Sequence, residues 1–308
     1  MTGVAAPFGR VLTAMVTAFH DDGSVDLYGT AAVANHLVEQ GNDGLVVSGT
    51  TGEAPTTTTE EDGKILAAVI DAVGDRATVV AGVGTNNTAH SVELIAQAEK
   101  LGADGALLVT PYYNKPTQDG LFAHFTTVAA ASGLPVMLYD IPGRSGIAIA
   151  PETYARLVAA DERFVAIKDA VGDIYRGVRI MQDTGLALYS GDDVLNLAWL
   201  THGAAGVVSV VAHVAAREYA DMVAAVDRND LPAALDIYRR LVPLVEIVMQ
   251  RVQGAMTAKA AMEILRVLPN RTMRLPLVSA DDSLVAELRA EMVALGKLPG
   301  KLSGEVVA

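Results

Sequence analysis

Lys168 closes the short apolar run Phe164-Val165-Ala166-Ile167, immediately before Asp169 and Ala170. The run is partly β-branched and bounded by charge, the pattern of a buried strand. Burying an ammonium at such a strand end is costly without a partner. Desolvation shifts lysine toward its neutral amine, and a neutral amine attacks a ketone to form a Schiff base. The plainer alternative is a lysine that snorkels to water or pairs with Asp169.

Other unusual polar residues follow neighbouring apolar runs. Ser48-Gly49-Thr50-Thr51-Gly52-Glu53 sets two hydroxyls between glycines, which suits a carboxylate or equally a turn with a helix cap. Thr110-Pro111-Tyr112-Tyr113-Asn114-Lys115-Pro116 is a stiff loop, either structural or presenting a phenol to a site or a partner subunit. Tyr139-Asp140-Ile141-Pro142-Gly143-Arg144 puts a phenol at a strand tip, able to relay protons. Arg144 can clamp a carboxylate bidentately, or be a solvated arginine on a surface turn. In Ser190-Gly191-Asp192-Asp193 the acids most simply cap the next helix.

The six histidines are scattered without metal-ligand spacing, and there is no cysteine. Thiolate catalysis, disulfides and cysteine-type metal sites are excluded, and metal catalysis is not expected. What remains is a lysine, a tyrosine, paired threonines and an arginine. The lysine would make an imine, the threonines and arginine hold carboxylates, and the tyrosine move protons. That is the equipment of a class I aldolase acting on a 2-oxo acid.

These residues need a scaffold, and the rest of the chain supplies one. Apolar runs recur at Leu12–Val16, Gly44–Val47, Thr78–Val83, Ala106–Val109, Val136–Tyr139, Phe164–Ile167, Ala187–Tyr189 and Val207–Val211. Amphipathic helical segments lie between them, at Asp26–Gln40, Thr59–Val73 and Ser91–Leu101. Strand–helix alternation implies a parallel sheet with right-handed crossovers, and eight units a closed (β/α)8 TIM barrel, usually of about 250 residues. Barrel enzymes carry their chemistry on the loops after the strands, where the residues above fall. Helical patterns at Arg217–Val226, Leu231–Val252, Lys259–Val267 and Asp282–Ala294 form a C-terminal helical extension. The division is a catalytic barrel over residues 1–225 and an extension over 226–308, with a mobile tail from Gly300. An open doubly wound sheet fits less well: Gly82-Val83-Gly84 lacks a third glycine and a downstream acid, and reads as tight-turn residues.

The chain has 308 residues, 51% of them hydrophobic, as a sheet buried on both faces requires. Its formal net charge is −13 and no stretch concentrates Lys and Arg, so nucleic acid is not an expected partner. No signal peptide and no membrane span are expected, which leaves a soluble cytoplasmic protein as the default.

Gly-Thr-Thr-Gly-Glu at 49–53, Tyr-Asp-Ile-Pro-Gly-Arg at 139–144 and Ile-Lys-Asp-Ala at 167–170 resemble the motifs of the dihydrodipicolinate synthase family. That family lies within the pyruvate-dependent N-acetylneuraminate lyase superfamily. The likeness runs from Leu12 to about His213, with a similar helical C-terminal part. Arg144 and the Thr-Thr pair favour the synthases over the N-acetylneuraminate lyase branch. The resemblance implies that Lys168 forms the imine with pyruvate and Thr51 holds the pyruvate carboxylate. Val208 lies beside the bound ketoacid, and Gly191 belongs with the substrate-binding residues. Tyr139 acts as acid and base, linked through Thr50 to Tyr113, which enters from a neighbouring subunit. Arg144 binds the carboxylate of L-aspartate 4-semialdehyde. It further implies a homotetramer built as a dimer of dimers, and no cofactor beyond the covalent imine. Lysine-inhibited members often carry histidines in the helix after the first motif and a glutamate after the third strand. The aligned residues here are Thr59, Asp62 and His90, whereas Asn86 and Tyr112 match, so feedback inhibition by L-lysine is expected to be weak or absent. Two alternatives stay open: a sister aldolase cleaving N-acetylneuraminate or a 2-keto-3-deoxy sugar acid, and a non-catalytic barrel that only binds small carboxylates.

Overall fold

The computed structural model describes residues 5–299, and the tail from Gly300 lies outside the described residues. Eight parallel strands close into a barrel in chain order. They are β1 Val11–Ala14, β2 Gly44–Val47, β3 Thr78–Gly82, β4 Gly105–Val109, β5 Val136–Asp140, β6 Phe164–Asp169, β7 Ala187–Ser190 and β8 Gly206–Ser209. The ring is sealed by Leu12 of β1 pairing with Val208 of β8.

Every expected run lies on a strand, but some ends move. Val16, Val210 and Val211 leave the ladder because other acceptors take their N–H groups. Val16 donates to His213 Nε2 at 3.2 Å. Val210 and Val211 donate to the Asp193 carboxylate at 2.9 and 3.2 Å. In the other direction β6 continues past Ile167: Lys168 pairs with Tyr189, and Asp169 with Ser190. A backbone ladder is indifferent to side-chain charge, so the apolar run understates the strand.

Side chains alternate between two buried faces. Along β5, Met137 and Tyr139 join the cluster that fills the barrel. Val136 and Leu138 join the larger cluster under the helices. On β6, Ala166 faces inward and Ile167 outward. The same period turns Lys168 into the barrel and Asp169 toward the helices.

An irregularity decides which residues meet. Val136 pairs with Phe164, but Met137 pairs with Ala166, so one residue of β6 is extra. Beyond this bulge Tyr139 stands opposite Lys168, and Asp140 opposite Asp169. An uninterrupted register would set Lys168 opposite Asp140, and a slip of one residue exchanges faces.

The surrounding helices are α1 Leu27–Glu39, α2 Thr59–Val73, α3 Thr88–Leu101, α4 Gln118–Ala129, α5 Pro142–Ser145, α6 Pro151–Ala160, α7 Ile174–Thr184, α8 Asn196–Thr201 and α9 Ala212–Asp227. The extension holds α10 Leu231–Gln250, α11 Gly254–Ile264 and α12 Asp282–Ala294. Three helices, α3, α9 and α11, start earlier than their apolar periodicity indicates, and for α3 and α11 a side-chain cap sets the start. Asn87 accepts from Ala89 N ahead of α3, and Gln253 from Ala255 N ahead of α11. The expected boundary at residues 225–226 falls inside α9, which packs on β1 and β8, so one helix belongs to both parts.

The extension is fastened to the loop after β2. Lys259 Nζ lies 2.6 Å from Glu53 Oε1, with both side chains only 1% exposed. Arg274 N donates to Glu53 Oε2 at 2.9 Å. The Arg274 guanidinium grips Glu61 through two bonds of 2.9 and 2.6 Å. Glu61 also completes the capping box of α2 with Thr58. Among the described residues, no helix is long and apolar enough to cross a membrane.

Candidate active site

Lys168 is 6% exposed and projects into the mouth of the barrel. Its Nζ lies 4.3 Å from the centroid of the Tyr139 ring. Burial pulls its pKa down to about 8; the Asp193 charge opposes this, and Arg144 adds to it. Pairing with Asp169 does not occur. That carboxylate turns away, accepts from Val171 and Gly172 N at 3.1 and 3.0 Å, and faces Arg176. Among the described residues the Lys168 amine has no ion-pair partner.

Two connected lobes open around this pair. One, of about 190 Å³, is lined by Lys168, Thr50, Thr51, Tyr139, Arg144 and Gly191, among others. The second, of about 250 Å³, shares Thr50, Tyr139 and Arg144 and runs on to Ser48, Asp62, His90 and Tyr112. Tyr139 is buried, and desolvation pushes its phenol up to about 12; the Arg144 charge and the neighbouring Thr50 hydroxyl work against that rise. The phenol therefore rests protonated, beside an amine whose pKa burial lowers to about 8.

The loop carrying Thr50 and Thr51 is tightly folded. Ser48 and Glu53 adopt positive φ of 53° and 61°. Thr17 Oγ1 donates to Gly52 O at 2.8 Å. Gly82 and Gly84 are needed for close approach rather than for a tight turn. A Cβ on Gly82 would stand 2.3 Å from Ser48 O, and one on Gly84 2.3 Å from Val109 N. Gly191 serves in the same way beside the lysine, where a Cβ would meet Lys168 Cγ at 2.9 Å.

The remaining expected residues divide. Arg144, on α5, is exposed and lines both lobes. Val208 belongs to the barrel-filling cluster with Tyr139, and the residue after β8 that lines the lysine lobe is Val210. Tyr113 is 89% exposed with φ of 77° and lines neither lobe of its own chain. Asp192 caps as expected, accepting from Val194 N at 3.2 Å. Asp193, expected to cap as well, does not cap the following helix: it is buried and receives Asn196 Nδ2 at 2.9 Å, Ser209 Oγ and the backbone N–H groups of Val210 and Val211 after β8. Met249, Gln250, Gln253, Gly254 and Ala255 also wall the lysine lobe. They sit where α10 ends and α11 begins, a role that helical periodicity does not reveal. Among the described residues no cluster of His, Asp and Glu could hold a metal ion.

Residues 7–295 match the dihydrodipicolinate synthetase family. The chain belongs to that family. It is 58% identical over 296 residues, 96% of each chain, to the 4-hydroxy-tetrahydrodipicolinate synthase of Kineococcus radiotolerans. It is 57% identical to the synthase of Acidothermus cellulolyticus, with 94% of each chain covered. Among solved structures it resembles the DHDPS of Cyanidioschyzon merolae with lysine bound, at a TM-score of 0.91 and 40% identity, covering 96% of this chain and 100% of that one. It also resembles the chloride-inhibited dihydrodipicolinate synthase of Acinetobacter baumannii complexed with pyruvate, at a TM-score of 0.89 and 34% identity, covering 94% of this chain and 100% of that one. Dihydrodipicolinate synthetase family membership fits the barrel and the lysine at its mouth.

Proposed function

We infer that the chain catalyses the reaction of its synthase relatives, the condensation of pyruvate with L-aspartate 4-semialdehyde to 4-hydroxy-tetrahydrodipicolinate, in diaminopimelate and lysine biosynthesis. The observation that carries this is the buried, unpaired Lys168 amine against the Tyr139 ring, in a cavity that also holds Thr50, Thr51 and Arg144. Lys168 attacks the ketone carbon of pyruvate and water leaves, giving the imine. Thr51 holds the pyruvate carboxylate, with Gly191 leaving room beside the lysine and Val208 below the ketoacid. Loss of a methyl proton gives the enamine, whose carbon attacks the aldehyde, and the new alkoxide takes a proton. Tyr139, beside Thr50 in the same cavity wall, carries these protons. The substrate amine then displaces Lys168 from the ketoacid carbon and closes the ring. The imine replaces any cofactor. Tyr113 completes the relay from a neighbouring subunit of a tetramer built as a dimer of dimers, and the enzyme works in the cytoplasm. The test is a coupled assay with both substrates against cleavage of N-acetylneuraminate and 2-keto-3-deoxy sugar acids. Turnover only with the sugar acids would replace this reading by the sister aldolase.

Arg144 selects the second substrate. Its guanidinium offers paired donors that lysine cannot reproduce. Arg144→Ala is expected to lower kcat/KM for aspartate semialdehyde roughly 10- to 100-fold, the worth of a charge-assisted hydrogen bond. The amount of pyruvate trapped by borohydride should stay near that of the unaltered protein. Equal loss of both would make Arg144 a structural residue.

L-lysine is expected to inhibit weakly. In the second lobe His90 Nε2 lies 3.0 Å from Thr59 Oγ1, so imidazole and hydroxyl engage one another. An imidazole supplies no negative charge to a ligand ammonium. Asp62 does carry a carboxyl there, but it accepts from Thr57 Oγ1 at 2.7 Å, and burial raises its pKa. Losing the charged partner of a desolvated ammonium costs about 2–5 kcal/mol, a factor of roughly 30 or more. Lysine titrated into the coupled assay decides the matter, and half-inhibition well below about one millimolar, near −4 kcal/mol of binding, would overturn it.

A further inference from the structure

Behind the Tyr139–Lys168 pair lies a second buried group that the reaction scheme does not use. Asp140 and Asp169 are the next residues on the same two strands and stand opposite one another. They turn outward, under α6 and α7, and are 0% and 1% exposed. Arg176, on the first turn of α7, reaches both. Its Nη2 donates to Asp140 Oδ2 at 2.9 Å, and its Nη1 lies 3.7 Å from Asp169 Oδ2. Nη2 also donates to the Ile149 carbonyl, and the guanidinium lies over the Tyr154 ring at 5.8 Å. The Tyr154 hydroxyl donates to Asp140 Oδ2 at 3.1 Å, and Ile149 N approaches both Asp140 oxygens at 3.3 Å.

Two carboxylates directly opposite on adjacent strands repel each other. One guanidinium between them converts that repulsion into attraction at the tips of β5 and β6. The bulge sets the register of these tips, and the Arg176 guanidinium spans them, hydrogen-bonded to Asp140 and 3.7 Å from Asp169. The side chains on the inner face of the same tips are the phenol and the amine of the active site. We propose that Arg176 is a positioning residue, which clamps Asp140 to Asp169 and so fixes the spacing of Tyr139 and Lys168. This rests on the function proposed above. Burial raises the Asp169 carboxyl to about 6, with Asp140 adding to the rise and Arg176 opposing it, as expected of a strained pair sharing one cation.

Forming the imine is less demanding of spacing, because solvent can supply the proton that the departing water takes when the Lys168 amine has added to the ketone. Moving a proton on the bound ketoacid needs Lys168 and Tyr139 at a fixed distance, and a misplacement of about 1 Å costs roughly 10²-fold. The variants are Arg176→Met and Arg176→Lys, the second keeping a buried cation in case the first fails to fold. Three quantities are read: borohydride-trapped pyruvate per chain, exchange of pyruvate methyl protons into heavy water, and kcat per trapped site. Arg176→Met should trap pyruvate with a KM within about threefold of normal, yet lose roughly 10- to 100-fold in both methyl exchange and kcat per site. Arg176→Lys should lose less than Arg176→Met because a buried cation remains, yet still fall below normal because a point charge bridges two carboxylates poorly. Adding Asp140→Asn to Arg176→Met should recover part of the loss by relieving the repulsion. Unchanged exchange and turnover per trapped site, whatever the melting temperature, would overturn the proposal, as would equal loss of trapping and turnover. If the unaltered protein trapped no pyruvate, the functional reading itself would fall; if it did and Arg176 left per-site chemistry untouched, only the clamp would.

Discussion

Lys168→Ala is expected to abolish covalent capture of pyruvate and to lower turnover by at least about 10⁴-fold, since removing a covalent nucleophile leaves only binding and electrostatics. The geometry explains why the bond is expected on this lysine rather than on the other buried one. Lys259 is equally buried and its pKa also falls to about 8, chiefly by burial. Its Nζ, however, is occupied by Glu53 at 2.6 Å and the Thr272 carbonyl at 2.7 Å. Lys168 faces the cavity with its amine unpaired. At a pKa of about 8, roughly a tenth of it is neutral at pH 7, against about one part in three thousand for an ordinary lysine. The rate of imine formation should therefore rise with pH and level off above about 8. Mass spectrometry after borohydride reduction with pyruvate should place the adduct on the Lys168 peptide. An adduct on any other lysine would sink the assignment.

The strand order and most of the inner wall were legible because a parallel barrel writes itself as repeated apolar runs. Lys168 and Tyr139 stood out because charge and phenol break such runs at their ends. The pairing of the two was not legible. It depends on the bulge between Val136 and Met137, and the run Phe164-Val165-Ala166-Ile167 contains no glycine or proline to mark it. Asp140 and Asp169 are visible as a Tyr-Asp and a Lys-Asp step on neighbouring strands, but the bridging Arg176 comes from a helix whose polar residues look solvent-facing. The same blindness hid Glu53–Lys259: the partners are far apart in the chain, and buried ion pairs carry no periodic trace. The C-terminal wall at Met249–Ala255 is formed by a helix end and the next helix start, which no periodicity aims at a cavity. Tyr113 shows the converse, an evident motif residue that its own chain leaves at the surface.

Tyr139→Phe should cut turnover by about 10²–10⁴-fold, the range for one positioned acid or base, while leaving trapped pyruvate intact. Burial holds the phenol protonated at neutral pH, so it first donates, to the water that leaves as the imine forms, and the resulting phenolate then accepts the methyl proton. Arg144 and Thr50 both pull against the rise, and Thr50 also lines the second lobe, which reaches Tyr112. Tyr113→Phe is expected to fall in the same range although its own chain places it 89% exposed, with a left-handed backbone that few tyrosines adopt. Such strain is sustained where the side chain is needed elsewhere. The proposal that a second subunit supplies Tyr113 has a sharp test. Tyr113→Phe chains keep Lys168, and Lys168→Ala chains keep Tyr113. Denatured together and refolded, they should regain up to about a quarter of the normal sites, the share for random pairing across a two-fold interface. Hybrids verified by mass that regain nothing would remove Tyr113 from the relay and leave Tyr139 and Thr50 to move the proton alone.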